Sequence, residues 1–142
     1  MKRALNPATV PTSPFYAQGI EVTGVSRTVF VSGQVGIDPE GRTAEGIAGQ
    51  ARQAVANLNA VLAEAGLAPD AIAKLPIYLT DPEHIGPFAE AAGPTLPADP
   101  PATTLLIVQA LAPPPPGRDR GRGRGLSYEA RRARQTSRLA RS

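Results

Sequence analysis

The sequence predicts an α+β domain, a mixed sheet with two helices on one face in the order β-β-α-β-α-β. Three observations predict it. Apolar residues run unbroken at 29–31 and again at 105–108, as in strands covered on both faces. Apolar positions 47, 51, 54, 55, 58, 61, 62 and 65 recur at helical spacing on one stripe. The segments between are punctuated by many of the 16 prolines and 14 glycines.

Residues 1–14 carry three prolines and little periodicity, and read as an extended arm. Residues 17–25 read as a first strand, with Ile20 and Val22 on one face. Residues 28–35, TVFVSGQV, form the clearest strand, followed by a loop, GIDPEGR, rich in turn residues. The apolar stripe then marks the best helix. Thr43 is its predicted N-cap, Glu45 favours the first turn, and Gly66 stands where a C′ glycine belongs. Alanines 48, 51, 54 and 65 let that helix lie close to a sheet.

Residues 72–79 read as a strand in which Pro76 argues for an edge or a bulge. Residues 81–92 read as a second helix, capped by Asp81 with Pro82 at N1 and interrupted by Pro87. A proline-rich loop over 94–101 leads into a last strand at 103–111. Two helices cover one face of such a sheet, so the apolar residues of the other face call for a partner subunit.

Composition narrows the chemistry. At 142 residues the chain suits one domain. It has no cysteine, which excludes disulfides and thiolate metal sites and suits a reducing compartment, the cytoplasm. The single histidine, His84, excludes a His-pair metal motif, argues against a Ser-His-Asp triad, and reads as an exposed helix-turn residue. No stretch approaches the ~20 apolar residues of a membrane span, and the basic first ten residues lack the apolar run of a secretory leader.

Charge divides the chain into residues 1–112 and a tail, 113–142. The first part holds six basic and ten acidic residues, and the tail nine arginines against Asp119 and Glu129. The net charge of +3 therefore belongs to the tail, and nucleic acid is a partner only through it.

The stretches FYAQGIEV and TVFVSGQVGIDPEGR, then QARQAVANLNAVLAEAGL, IYLTD and PPATTL, resemble in order the RidA/YjgF family of reactive intermediate/imine deaminases. The resemblance covers roughly residues 6–112. It implies a fold similar to trimeric chorismate mutases, with three sheets packed into a central barrel and a small-molecule cleft at each subunit interface. It implies hydrolysis of reactive enamines and imines, such as 2-iminobutanoate, to keto acids and ammonia, with no cofactor or metal. Some members are described as translation inhibitors or ribonucleases.

The resemblance also points to site residues. Tyr16, Ser32, Gly33 and Thr103 fall at substrate-binding positions of the cleft. The family's carboxylate-gripping arginine is assigned to Ala102, and its helix asparagine falls near Ala89. A guanidinium fork there gives two charge-assisted bonds of roughly 1.5–3 kcal/mol each, and an alanine gives neither. The family's late glutamate, in a last strand of the type VEIEAIA, has no counterpart. These departures argue against ordinary imino-acid deamination and favour a substrate without a free carboxylate. Two alternatives stand beside the deaminase reading. One is a non-catalytic trimer that binds small molecules in the same clefts; the other is RNA binding through the basic tail.

The tail itself carries three readings. It is a solvated, disordered basic segment, an Arg-Gly segment for RNA backbone, or a shifted reading frame. Moving the frame by one nucleotide across residues 116–125 permits the string LVEIEAVAV, which is the missing family strand. A run of cytosines encoding prolines 113–116 is a natural place for one inserted base. Without that strand a neighbouring strand keeps an unpaired edge, and a less stable trimer is expected.

Overall fold

The computed structural model describes residues 1–112 and 127–130. A two-stranded antiparallel ribbon pairs β1 (Lys2–Leu5) with β2 (Gly19–Val22). A four-stranded sheet is ordered β3-β6-β4-β5, from β3 (Val31–Gln34), β4 (Lys74–Leu79), β5 (Ala102–Ile107) and β6 (Ser127–Ala130). β4 and β5 run parallel, and β6 is antiparallel to both β3 and β4, so the sheet is mixed as expected. Two helices, α1 (Gly46–Glu64) and α2 (Ile85–Ala92), pack on each other and cover one side of it.

The core lies between helices and sheet. Ala51, Ala54, Leu58 and Leu62 of α1 meet Leu75, Ile77 and Leu79 of β4 and Phe88 of α2, all nearly inaccessible to solvent. The helix can lie where it does because Gly36 has no side chain. A Cβ on Gly36 would stand 2.4 Å from the Gln50 Cα, so the chain leaving β3 passes directly against α1. Asn57 secures the same crossing, its Nδ2 donating to the carbonyls of Val35 at 3.0 Å and Ile37 at 2.9 Å.

The end of α1 follows the sequence reading. Gly66 has φ +65°, its N–H donates to the Ala63 carbonyl, and the Leu67 N–H donates to the Leu62 carbonyl. Those two bonds close the helix in the left-handed glycine motif. Arg27 adds a cation there, donating to the Ala65 carbonyl. The start of α1 differs. The N-cap residue is Glu45, with no side-chain cap bond, because Thr43 is committed to a β-bridge with Ile37.

Further expectations are corrected. Within the extended arm expected over residues 1–14, Lys2–Leu5 form a paired strand. β1 has no apolar alternation to betray it; it is held by its ladder to β2 and by Arg3, whose Nε donates to Glu21 directly across the ribbon at 2.9 Å. That guanidinium holds the Glu21 carboxyl below its ordinary value. Pro76 lies in a strand with neighbours on both sides. The carbonyls of Ala73 and Leu79 accept from β5, so odd-numbered residues face β5 and Pro76 turns its missing N–H toward β6. The β6 register covers only Ile77 and Tyr78, so no bond is lost there.

Pro87 sits in the first turn of α2, where an N–H has no helical partner in any case. Asp81 does cap, as its sequence position suggests, but it caps a 3-10 turn, Pro82–His84, that feeds α2. Its carboxylate accepts from the Glu83 N–H at 2.9 Å. His84 at the end of that turn is half-buried.

The unpaired edge expected of a neighbouring strand is not found among the described residues: β6 lies between β3 and β4. Ladder bonds are made by the backbone and need no apolar side chain, so a segment far along the tail takes the slot. The order is therefore β-β-β-α-β-α-β-β, with one strand added at each end. The remaining tail residues, 113–126 and 131–142, lie outside the described residues, and with them the disordered, RNA-binding and frame-shift readings.

Among the described residues nothing packs over the second face of the sheet. Residues 74, 76 and 78 of β4 and their register partners 102, 104 and 106 of β5 point away from the helices. Leu106 there is 48% exposed, and Phe30, beside the buried Val31, is 70% exposed.

Two stability outcomes follow from these contacts. Gly36→Ala forces a methyl group against the α1 backbone at Gln50 and should lower the melting temperature by about 5 °C or more. Ending the chain at residue 112 removes β6 and should lower it by roughly 10 °C, from the loss of a few ladder bonds of about 1 kcal/mol each. Differential scanning calorimetry checks both, and an unchanged melting temperature contradicts the contact in question.

Candidate functional site

The ribbon and the sheet meet at one point. Ala17, 3% exposed, forms a parallel bridge with Ala102, and its N–H donates to the Pro101 carbonyl at 3.2 Å. This tie fixes the residue before it, Tyr16, at the start of β5. The ribbon thus roofs a cleft of about 280 Å³, closed below by the segment 98–100. Its polar lining is Lys2, Asn6, Ser13, Tyr16 and Asp99, and Ile20 supplies an apolar wall.

Each polar group reaches the cleft through local structure. Lys2 is carried there by β1, and its Nζ donates to the backbone carbonyls of Ile72 at 3.4 Å and Asp99 at 3.3 Å. The Oδ1 of Asn6 accepts from the Gln18 N–H at 2.9 Å, which bends the chain leaving β1 back toward β2. Ser13 Oγ accepts from the Phe15 N–H at 3.1 Å and turns the chain so that Tyr16 follows inward, 38% exposed.

The four residues expected at the site are not gathered by one chain. Tyr16 lines the cleft. Thr103 lies near it on β5, but its side chain shares the face of Leu75 and its Oγ1 donates to its own neighbour, the Pro101 carbonyl, at 3.2 Å. Ser32 and Gly33 are exposed on β3, three strand positions from β5, about 14 Å away at ordinary strand spacing.

The spacing of the motif moves the arginine position by one residue. Laid in step on residues 101–104, the motif P-A-R-[ST] sets its arginine on Thr103 rather than Ala102. Neither residue carries a charge. A lysine nearby, Lys74, is the register partner of Ala102, and its Nζ donates to Thr104 Oγ1 at 2.8 Å on the open face.

The cleft's other polar residues escaped the sequence reading. Lys2 and Asn6 fall in the expected arm, and Asp99 in the expected proline-rich loop. The one signal for β1 was the opposite charge of Arg3 and Glu21, which sit opposite each other in the ribbon. Among the described residues no group of His, Cys, Asp or Glu is arranged to hold a metal ion, and no helix is long and apolar enough to cross a membrane.

Known proteins share this architecture. The family described as Endoribonuclease L-PSP matches residues 8–115. A RutC family protein of Aquifex aeolicus is 47% identical over 75 residues, 52% of this chain, and the chain spans 57% of that relative's length. The 2-iminobutanoate/2-iminopropanoate deaminase of Mus musculus is 32% identical over 98 residues, 68% of this chain and 70% of the mouse protein. The crystal structure of a Rid-family protein from Yersinia pestis superposes with a TM-score of 0.75 at 30% identity, covering 92% of this chain and 96% of that one. The match along most of the domain, in sequence and in three dimensions, shows that this chain belongs to the RidA/YjgF family.

Proposed function

We propose that the protein is a metal-free imine hydrolase that acts as a homotrimer in the cytoplasm. It converts a small reactive imine and water into the keto compound and ammonia. The observation that carries this reading is the position of Tyr16, held at the mouth of a polar cleft by the Ala17–Ala102 bridge, in a chain related to a 2-iminobutanoate/2-iminopropanoate deaminase.

The chemistry asks little of the protein. Water adds to the carbon of the C=N bond, the nitrogen takes up protons, and ammonia leaves as the carbonyl forms. A protonated imine is already electrophilic, so the site need only orient it, admit one water and shuttle a proton. The Tyr16 hydroxyl serves as the hydrogen-bonding group at the reacting end. Ser32 and the Gly33 backbone complete the cleft from a neighbouring subunit, which is how residues about 14 Å apart in one chain come to share a ligand. The open face of the sheet, with Leu106 and Phe30 exposed, supports the assembly this requires.

A second reading rests on one observation, the absence of charge at both Ala102 and Thr103. In it the same cleft binds a small molecule without turnover.

Ammonia release from 2-iminobutanoate, generated in solution, separates the two. The deaminase reading expects turnover above the spontaneous rate, and a fall of about tenfold or more in kcat/KM for Tyr16→Phe. Ligand-induced thermal stabilisation with no ammonia release is the result expected of the binder.

A further inference from the structure

Lys2 is the cation of the cleft, and its surroundings give it work to do. Its two bonds go to neutral carbonyls at 3.3 and 3.4 Å, longer than the roughly 2.8 Å of a charge-assisted bond. It makes no ion pair among the described residues. Two further donors line the same space. The Asn6 side chain uses only its Oδ1, and its Nδ2 has no partner among the described residues; nor has the Tyr16 hydroxyl. One carboxylate, that of the exposed Asp99, lines the cleft as well.

An ammonium, two neutral donors and a carboxylate lining one cleft suit a small molecule that carries both a carboxylate and a protonated nitrogen. We propose that Lys2 is the carboxylate anchor of the cleft, supported by Asn6, and that Asp99 and the Tyr16 hydroxyl serve the ligand's nitrogen end. The assignment rests on the deaminase reading for the identity of the substrate, an α-imino acid. It replaces the expectation, drawn from the missing arginine, of a substrate without a free carboxylate. A lysine ammonium is a compact point charge without the planar fork of arginine, so the cleft selects its ligand by charge more than by the shape of a bidentate pair. The other nearby lysine, Lys74, does not line the cleft, and its ammonium is held by Thr104.

The test uses the full-length chain and a stable ligand, 2-oxobutanoate, the keto acid that 2-iminobutanoate would yield. Its uncharged amide, 2-oxobutanamide, is the comparison, and calorimetric titration reads both. The wild type should bind the acid about tenfold or more tightly than the amide. Lys2→Gln should lose about tenfold in affinity for the acid and nothing for the amide, Lys2→Arg should recover most of the loss, and Lys74→Gln should match the wild type. Equal binding of acid and amide by the wild type, or acid binding by Lys2→Gln as tight as the wild type's, overturns the anchor. An equal loss in Lys74→Gln overturns it too, because the effect is then general charge. If Lys2→Gln fails to fold, the acid-over-amide preference of the wild type decides.

Ammonia release on the same variants keeps the two claims apart. Turnover of 2-iminobutanoate with an unchanged KM in Lys2→Gln overturns the anchor and leaves the deaminase reading standing. Lys2-dependent binding of the keto acid without turnover supports the anchor and removes the deaminase reading.

Discussion

The face of the sheet turned away from α1 and α2 governs how this protein can exist in water. Both helices are already committed to Leu75, Ile77 and Leu79 on the other side, and neither can reach across. Leu106 and Phe30 are left substantially exposed, beside the half-buried Pro76 and Tyr78. Burying one large apolar side chain is worth about 1.5–3 kcal/mol. Over a whole sheet face that gain competes well with the entropy lost when copies associate. The proposed trimer is the arrangement in which this face is covered and Ser32 and Gly33 come within reach of a neighbour's cleft.

The cleft depends on a second, smaller device. A two-stranded ribbon is marginal by itself, and β1–β2 is steadied by the Arg3–Glu21 pair and by the Ala17–Ala102 bridge to β5. The ribbon is also what brings Lys2, Asn6 and Tyr16 over the loop at 98–100. Recognition and folding are therefore coupled here: the residues that would touch a ligand sit on an element whose own stability is low. Although neither Ala102 nor Thr103 carries a charge, the cleft beside β5 is lined by a cation, Lys2, from the ribbon.

Where periodicity was strong, the sequence was readable. The α1 stripe, its Gly66 terminus, the β4 and β5 strands and the polar turn after β3 all follow from local physics and from spacing. Where an element is held by backbone ladders, the side chains say little. β1 carries no alternation, and β6 lies in a tail whose arginines and glycines hide it. Pro76 misled because a proline is excluded only where its N–H is needed, and that depends on which neighbour it faces. The site was half legible. Tyr16 emerged from the motif, whereas Lys2, Asn6 and Asp99 are distant in sequence and joined only by the ribbon's return.

The account turns on whether the open face is covered by other copies of the chain. Sedimentation velocity on the full-length protein measures this directly, across a dilution series. The account predicts a particle of three 14.7-kDa chains that persists to low micromolar concentration and falls apart when Leu106 is replaced by aspartate. A folded single chain at every concentration, with its open face still in water, contradicts it.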